Sequence, residues 1–362
     1  MKICFLADAS SIHSKRWIEY FAEKNHQVYW ISLSPSRFER IKGVKFYRLL
    51  KSGFKPLDII FNIIPLAVLL KKIKPDVLHA HYAGVNGVLG AFSRFHPLII
   101  TAWGSDILIA GKSKIAGPLI SFALRRAEII TCDAEHMKVA MGKMEVDPDK
   151  IKIIKFGVDT KKFKPRSADE EVKKKLGIES GELVVISIRS LEPIYDIQTL
   201  IKAIPSVLKE LPNTKFLIGG SGSEENKIKD LVEKLGVQEN VNFLGFINNQ
   251  DLPFYFNAAD VYVSTSLSDA GIASSTAEAM ASGLPVVITN TGENEKWINE
   301  GKNGFLVPAK DYASLAGKII NLLKREEIRA EIGKEGRKTI EEKDDFYADM
   351  EKMERIIENY ES

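Results

Sequence analysis

The sequence alternates short β-branched runs with longer amphipathic segments, and it does so in two separate series. A polar, lysine-rich break at residues 159–175 divides the first series from the second. Alternation of this kind builds parallel, doubly wound sheets that helices cover on both faces. The 362 residues are enough for two such domains with separate cores. We therefore predict an α/β chain of two Rossmann-like domains joined by a linker.

The predicted strands of the first series are residues 2–7, 27–33, 44–48, 76–80, 98–101, 129–132 and 151–154. Those of the second series are residues 183–188, 214–218, 241–244, 261–264 and 286–289. Helical periodicity predicts helices at residues 15–24, 115–126, 197–210, 224–235, 273–282, 312–325 and 344–360. Because ligands of open parallel sheets bind at the carboxyl ends of the strands, two facing sheets predict a cleft between the domains.

The cysteines and the amino terminus indicate the compartment. Cys4 and Cys132 lie inside apolar runs and are predicted to be buried strand residues. Neither has metal-ligand spacing, which favours a reducing cytoplasm. The first residues turn acidic too early for a signal peptide.

The longest apolar stretch, Pro56–Leu70, is interrupted by Asp58, Asn62 and Pro65. It is also shorter than the roughly 20 residues that a bilayer-spanning helix needs. We therefore expect no segment to span a membrane.

Charge is unevenly distributed between the two halves. Residues 1–158 hold 24 Lys and Arg against 13 Asp and Glu, whereas residues 159–362 hold 27 against 35. The window Arg37–Lys55 carries seven basic residues and one acid, Glu39. Such asymmetry indicates either an ordinary lysine-rich solvated surface or a surface for a polyanion, such as anionic lipid headgroups or an anionic acceptor.

Two nucleotide-binding loops are missing from the sequence. The first strand–helix turn, residues 8–15, contains no glycine, so it is not the G-x-G-x-x-G loop of dinucleotide-binding enzymes. A G-x-x-x-x-G-K-[ST] phosphate loop is also absent from the sequence. Residues 219–222 are Gly-Gly-Ser-Gly after a predicted strand. Either these glycines only form the turn, or Gly220 and Ser221 let the backbone approach a phosphate or sugar.

Residues 260–308 are the most informative segment. A strand ending near Ser266 leads into the loop 267–272, then into a helix that carries Glu278 and ends at Gly283-Leu-Pro285. The amide groups at the start of such a helix suit a diphosphate. A carboxylate one to two turns further in can accept hydrogen bonds from ribose hydroxyls, although a solvated helix glutamate is the plain alternative.

The segment Glu278-Ala-Met-Ala-Ser-Gly-Leu-Pro-Val286 resembles the second half of the E-x7-E motif of the retaining glycosyltransferases of family four, which have the GT-B fold. Further matches to the family follow its order along nearly the whole chain. They are Asp76-Val-Leu-His-Ala-His81, Thr101-Ala-Trp-Gly-Ser-Asp106, Phe156-Gly-Val-Asp159, Phe243-Leu-Gly-Phe246 and Gly301-Lys-Asn-Gly-Phe-Leu-Val-Pro308. The resemblance implies a GT-B fold of two facing Rossmann-like domains with a cleft between them.

This resemblance also implies which domain binds the acceptor and which binds the donor. Residues 1–158 would bind the acceptor, residues 159–343 the nucleotide-sugar, and the helix at about 344–362 would pack back on the first domain. Arg189 would neutralise the leaving diphosphate, since charge develops there during transfer. The remaining donor-binding residues that it implies are Tyr195, Phe246, Ile247, Asp269, Gly271, Ile272, Ser274 and Glu278. The glycine turn adds Gly220 and Ser221 to the donor-binding candidates.

Four positions depart from the family pattern. The family arginine aligns with Ser190, one residue after Arg189, and the family lysine aligns with Tyr195. The first Glu of E-x7-E aligns with Ala270, one residue after Asp269, and a family histidine aligns with Trp103. We interpret these changes as a variant branch with a rebuilt site, in which Arg189 and Asp269 serve after a one-residue shift and Tyr195 donates to a phosphate oxygen.

On the acceptor side the resemblance implies His13, Trp103 and Asp106, with Asp106 and His81 joining Arg189 as catalytic residues. For both histidines a purely local hydrogen bond is the alternative, and Asp106 could instead be the N-cap of the following helix.

The predicted function is therefore retaining transfer of a sugar from a nucleoside-diphosphate sugar, uridine ahead of guanosine, to an acceptor of lipid-linked or polysaccharide type. We expect no cofactor, no metal and no nucleic-acid partner, and a cytoplasmic protein that can sit peripherally at the inner membrane face. The alternative is a silent nucleotide-sugar-binding subunit of the same fold.

Overall fold

A computed structural model describes residues 1–36, 40–167, 170–269 and 271–360. The chain forms two compact units. The first comprises Met1–Phe156 together with Tyr347–Ser362, and the second comprises Gly157–Phe346. Each unit is described by itself below.

The first unit contains a parallel sheet with helices between its strands. Its strands are β1 (Lys2–Leu6), β2 (Gln27–Ser32), β3 (Val44–Arg48), β4 (Val77–His81), β5 (Leu98–Thr101), β6 (Ile129–Cys132) and β7 (Ile151–Ile153). Its helices are α1 (Ile12–Glu23), α2 (Lys55–Ile73), α3 (Val85–Phe92), α4 (Ser105–Leu108), α5 (Ala116–Arg126) and α6 (Glu135–Gly142).

The strand order in this sheet is β3-β2-β1-β4-β5-β6-β7. The order reverses between β1 and β4, which pair in parallel from Ile3 opposite Val77 to Leu6 opposite Ala80. Ligands of doubly wound sheets bind in the crevice at such a switch point, outside the carboxyl ends of the strands. The loops after β1, β4 and β5 therefore carry the candidate site of this unit.

The second unit repeats the arrangement. After α7 (Glu170–Lys175) its strands are β8 (Leu183–Ile188), β9 (Thr214–Gly219), β10 (Val241–Gly245), β11 (Val261–Ser264), β12 (Val286–Thr289) and β13 (Phe305–Val307). Its helices are α8 (Ile197–Glu210), α9 (Glu225–Lys234), α10 (Leu252–Asn257), α11 (Ser274–Ala281), α12 (Asn294–Trp297), α13 (Tyr312–Leu323) and α14 (Glu326–Lys343). The strand order is β10-β9-β8-β11-β12-β13, so the switch point lies between β8 and β11.

The last helix, α15 (Phe346–Glu358), carries most of its residues in the first unit. Its Glu354 accepts a hydrogen bond from the Tyr20 hydroxyl at 2.9 Å and lies 3.1 Å from the His26 ring. Met350, Met353 and Ile357 are fully buried along one side of the helix. A hydrogen-bonded glutamate and an apolar stripe thus hold α15 in place.

The doubly wound α/β architecture is confirmed, and every predicted strand is present to within one residue at each end. Cys4 and Cys132 are buried strand residues, as predicted. Helix α1 begins at Ile12, three residues before the predicted start, because the Ser11 hydroxyl accepts from the Ser14 amide as its N-cap.

Several elements have no predicted counterpart. They include β13, α14, the 19-residue helix α2 and the shorter helices α3, α4, α6, α7, α10 and α12. Helix α2 includes the interrupted apolar stretch 56–70, with Pro65 inside it. None of the helices among the described residues combines the length and apolar character needed to cross a bilayer.

Candidate functional site

A buried ion pair occupies the switch point of the second unit. Arg189 follows β8 directly, and Asp269 lies in the loop after the neighbouring strand β11. The Arg189 Nη2 atom donates to the Asp269 Oδ1 atom at 2.7 Å, and the two side chains are only 10% and 9% exposed. The structure thus brings together the two residues that the sequence offered as shifted replacements.

Tyr195 closes over the same arginine. Its ring centroid lies 4.3 Å from the guanidinium carbon of Arg189, which is close cation–π contact. The backbone around it is tied to the opposite loop, since Thr265 Oγ1 donates to the Tyr195 carbonyl at 3.0 Å and the Leu267 amide donates to the Ile194 carbonyl at 2.8 Å. The guanidinium is therefore held in a fixed orientation before any ligand arrives.

The turn after β9 packs against the loop that carries Arg189. Gly220 has a φ of +129°, and a Cβ there would lie 2.0 Å from the Arg189 carbonyl oxygen. The Ser221 carbonyl accepts from the Leu191 amide at 3.0 Å. The turn thus requires glycine for its own packing, which is the structural reading of this segment, and it also places Ser221 beside the arginine loop.

The remaining predicted donor residues border this centre. Gly271 and Ile272 precede α11, which begins at Ser274, and Glu278 lies in its second turn. The Asn249 amide donates to the Glu278 Oε1 atom at 3.1 Å. Next along the sheet edge, Phe246 is 78% exposed just after β10. Ile247 beside it contacts the turn at the end of β9, where a Cβ on Gly219 would meet its Cδ1 atom at 2.8 Å.

Ala270, aligned with the first Glu of the family motif, lies outside the described residues.

Sequence reasoning missed two groups here. The Tyr262 hydroxyl, on β11, shares a 2.8 Å hydrogen bond with the Ser275 hydroxyl on α11. Burial raises the pKa of this tyrosine, and Arg189 opposes that rise. Asn249 was the other omission, through its bond to Glu278. The hydroxyl of Tyr262 inside a short β-branched strand was a signal for that residue, whereas Asn249 lies in a polar loop that offers no such signal.

The acceptor-side candidates of the first unit form an aromatic cluster. Trp103, which follows β5, packs edge-on against His13 at 5.5 Å between ring centroids and against the His81 ring at 5.8 Å. Phe156 lies 5.2 Å from both the His13 and the Trp103 rings. The three predicted residues therefore meet at the carboxyl edge of this sheet, at its switch point.

Burial keeps the cluster's histidines uncharged. It lowers the pKa of His81 to about 3, assisted by His13, and that of His13 to about 4, assisted by Arg16. Among the described residues, neither ring nitrogen of His81 has a hydrogen-bond partner. His81 therefore does not make the local hydrogen bond that was its alternative role. The neighbouring His79 does make one, since its Nε2 atom lies 2.7 Å from Thr101 Oγ1. His81 is thus a neutral ring within an aromatic wall.

Asp106 is fully buried and connects two loops. Its Oδ2 atom accepts from the Ala83 amide at 2.7 Å, after β4, and its Oδ1 atom from the Trp103 amide at 3.0 Å, after β5. Burial raises its pKa, and these amides partly offset that rise. The N-cap alternative is wrong, because Gly104 holds that position and Asp106 lies inside α4. The carboxylate instead fixes the backbone that presents Trp103.

The second unit's site is built to receive an anion and polar hydroxyls. At the carboxyl edge of the sheet it offers an oriented guanidinium, a helix glutamate and the start of α11, which has no side-chain cap among the described residues. In the part of the chain that the structure describes, no cluster of three or more His, Cys, Asp or Glu could hold a metal ion.

Comparison with known proteins identifies relatives of this chain. A family model described as glycosyl transferases group 1 matches residues 168–339, and one described as glycosyl transferase 4-like matches residues 2–134. The D-inositol 3-phosphate glycosyltransferase of Corynebacterium glutamicum (strain R) is 30% identical over 289 residues, covering 73% of this chain and 68% of that protein. The N-acetyl-alpha-D-glucosaminyl L-malate synthase of Bacillus anthracis is 24% identical over 361 residues, covering 94% and 89%.

The solved structure of Anabaena Alr3699/HepE in complex with UDP-glucose is similar over the whole chain, with a TM-score of 0.76 at 20% identity, covering 99% of this chain and 100% of that one. This likeness confirms the predicted GT-B fold class. The sequence matches and the shared fold lead to one conclusion: the chain belongs to the group 1 glycosyl transferases, enzymes of nucleotide-sugar-dependent glycosyl transfer.

Proposed function

We propose that the protein is a retaining glycosyltransferase whose donor diphosphate binds against Arg189. The observation that carries this proposal is the buried pair of Arg189 with Asp269 at the switch point of the second unit. The Asp269 carboxylate and the Tyr195 ring orient the Arg189 guanidinium, and α11 begins within the same loop cluster. In this proposal Asp269 is a positioning residue, and Glu278 accepts hydrogen bonds from the donor ribose.

The transfer step we propose needs no protein nucleophile. The bond between the anomeric carbon and the phosphate oxygen breaks, and the acceptor oxygen bonds to that carbon from the same face. The acceptor proton passes to the departing phosphate oxygen, while Arg189 stabilises the negative charge that develops there. Because a cation of the chain supplies this stabilisation, we propose turnover without a metal, which predicts full activity in excess chelator.

For the donor we propose a UDP-sugar, supported by the fold that this chain shares with a protein solved in complex with UDP-glucose. The base would pack at Phe246 and Ile247, the first residues after β10. Gly220, Ser221, Gly271, Ile272 and Ser274 would surround the diphosphate and sugar.

For the acceptor we propose a lipid-linked glycan or polysaccharide, reached from the first unit. His13, Trp103 and His81 would form an aromatic wall against it, and Asp106 would position that wall. The basic first half supports an acceptor that is anionic or lies at an anionic surface.

The test measures binding and turnover together on a panel of UDP- and GDP-sugars. Thermal shift reports binding, and released nucleoside diphosphate reports turnover. We expect one UDP-sugar to stabilise the protein and to be hydrolysed slowly. Both effects should be lost in Arg189→Ala and weakened in Glu278→Ala. Tyr312→Ser on α13 is the control. Stabilisation without release, even with lipid-linked acceptors, would instead establish the silent binding subunit.

A further inference from the structure

Helix α2 exposes an apolar face that the described part of the chain leaves uncovered. Its exposed large apolar residues are Leu57, Ile60, Phe61, Ile64 and Val68, with Ile60 62% and Ile64 74% exposed. Their three- and four-residue spacing places them on one side of the helix. The opposite side, with Leu66, Leu70 and Ile73, packs into the core of the first unit. A surface helix ordinarily turns polar residues outward, so this second apolar stripe requires an explanation.

The preceding loop extends the same surface, and buried polar groups hold it in place. Leu50 and Phe54 are both exposed. Asn62 donates to the Leu50 carbonyl at 2.8 Å and accepts from its amide at 3.1 Å. Asp58 accepts from the Ser52 hydroxyl at 2.7 Å. The two polar residues that interrupt the apolar stretch therefore fix an ordered loop that presents apolar side chains.

The segment that carries this surface is rich in basic residues. Residues 40–74 contain nine Lys and Arg and a single acidic residue, Asp58, which is buried against Ser52. Lys71 and Lys72 lie in the last turn of α2, in line with Ile64 and Val68 by helical spacing. The exposed apolar stripe therefore carries positive charge at its carboxyl-terminal end.

We propose that α2 and the loop before it, residues 49–72, dock this protein on an anionic membrane surface, with the helix lying in the interface plane. An apolar stripe bordered by lysines matches acyl chains beneath anionic headgroups. A second copy of the chain would bring two basic faces together, which charge repulsion disfavours. The proposal deepens the proposed function, since it gives the lipid-linked acceptor a surface from which to reach the enzyme.

Flotation with lipid vesicles tests the proposal. The full chain is mixed with vesicles of phosphatidylcholine alone or of an equimolar mixture with phosphatidylglycerol. We expect recovery with the mixed vesicles and at least tenfold less with neutral ones. Ile60→Ser/Ile64→Ser should lower partitioning at least tenfold, and Lys71→Gln/Lys72→Gln about fivefold per lysine at low salt. Serine and isoleucine have similar helix propensities, so the helix should persist.

The matched control is Tyr312→Ser, which removes an aromatic residue that is 47% exposed on the second unit and should bind like the wild type. Equal recovery with neutral and anionic vesicles, or no loss in Ile60→Ser/Ile64→Ser, would overturn the proposal. The proposal would also be overturned if analytical ultracentrifugation showed a stable dimer for the wild type and a monomer for Ile60→Ser/Ile64→Ser. Donor hydrolysis without vesicles separates the two proposals, because the serine variant should hydrolyse donor at the wild-type rate even if docking fails.

Discussion

Replacing Asp269 by alanine should destabilise the protein through the arginine it leaves behind. Arg189 and Asp269 are about nine-tenths buried. Asp269→Ala therefore leaves the Arg189 guanidinium without its ion-pair partner in a place that water cannot fully solvate. Removing one partner of a buried ion pair costs about 3 kcal/mol or more. For a unit of this size, each kcal/mol lowers the melting temperature by about 2–4 °C, so a drop of about 6–12 °C is expected.

A double variant separates the charge from the packing. Arg189→Met/Asp269→Ala removes the unpaired buried charge and keeps an apolar side chain beneath Tyr195. The double variant should therefore melt at a higher temperature than Asp269→Ala alone. Differential scanning calorimetry with UDP adds the functional arm. UDP should stabilise Asp269→Ala at least as much as the wild type, because the diphosphate neutralises the unpaired arginine, and it should stabilise the double variant far less.

Two results would refute this reasoning. A melting temperature for Asp269→Ala within about 1 °C of the wild type would mean that the pair is solvated in solution. Stabilisation of the double variant by UDP equal to that of the wild type would mean that Arg189 does not contact the diphosphate.

Three further outcomes follow from single contacts. Gly220→Ala should cost about 3 kcal/mol in the free energy of unfolding, since its Cβ would overlap a carbonyl oxygen at a φ of +129°, whereas Gly271→Ala, with open space around it, should change stability little. His81→Phe should give a shallower loss of stability as pH falls from about 6.5 towards 4, because the wild-type unfolded state takes up a proton that the folded ring, with a pKa of about 3, refuses. Glu354→Gln should cost about 1 kcal/mol at pH 7 through its bond to Tyr20. Burial alone would raise the pKa of Glu354, but hydrogen bonds and nearby cations lower it on balance. The stability difference between Glu354→Gln and the wild type should therefore disappear as pH falls through the pKa of Glu354 in the folded protein. Urea unfolding across pH measures the stability changes of all these variants.

The strands were predictable because each is a short β-branched run between turn residues, and parallel pairing hides both faces. Helix α2 was not predicted, since Asp58, Asn62 and Pro65 interrupt its apolar run. In the fold those polar residues serve the loop before the helix. A linear pattern cannot distinguish a polar residue that breaks a helix from one that is buried to hold a loop.

The candidate site shows the same limit. The family pattern located Arg189 and Asp269 one residue early, but only the sheet order shows that they meet, because β8 and β11 are neighbours across a reversal of strand order. The role of Asp106 likewise depends on amides from two loops that lie far apart in sequence. Side chains whose partners come from different strand ends carry no local signal of their contact.

The most direct test of the central claim is hydrogen–deuterium exchange with and without UDP. We expect slower exchange in residues 189–195, 219–223, 245–249, 266–269 and 271–279, at the carboxyl edge of the second unit's sheet. Arg189→Ala should remove that protection. Protection confined to the loops of the first unit, residues 7–14 and 82–106, would contradict the claim, as would protection that persists in Arg189→Ala.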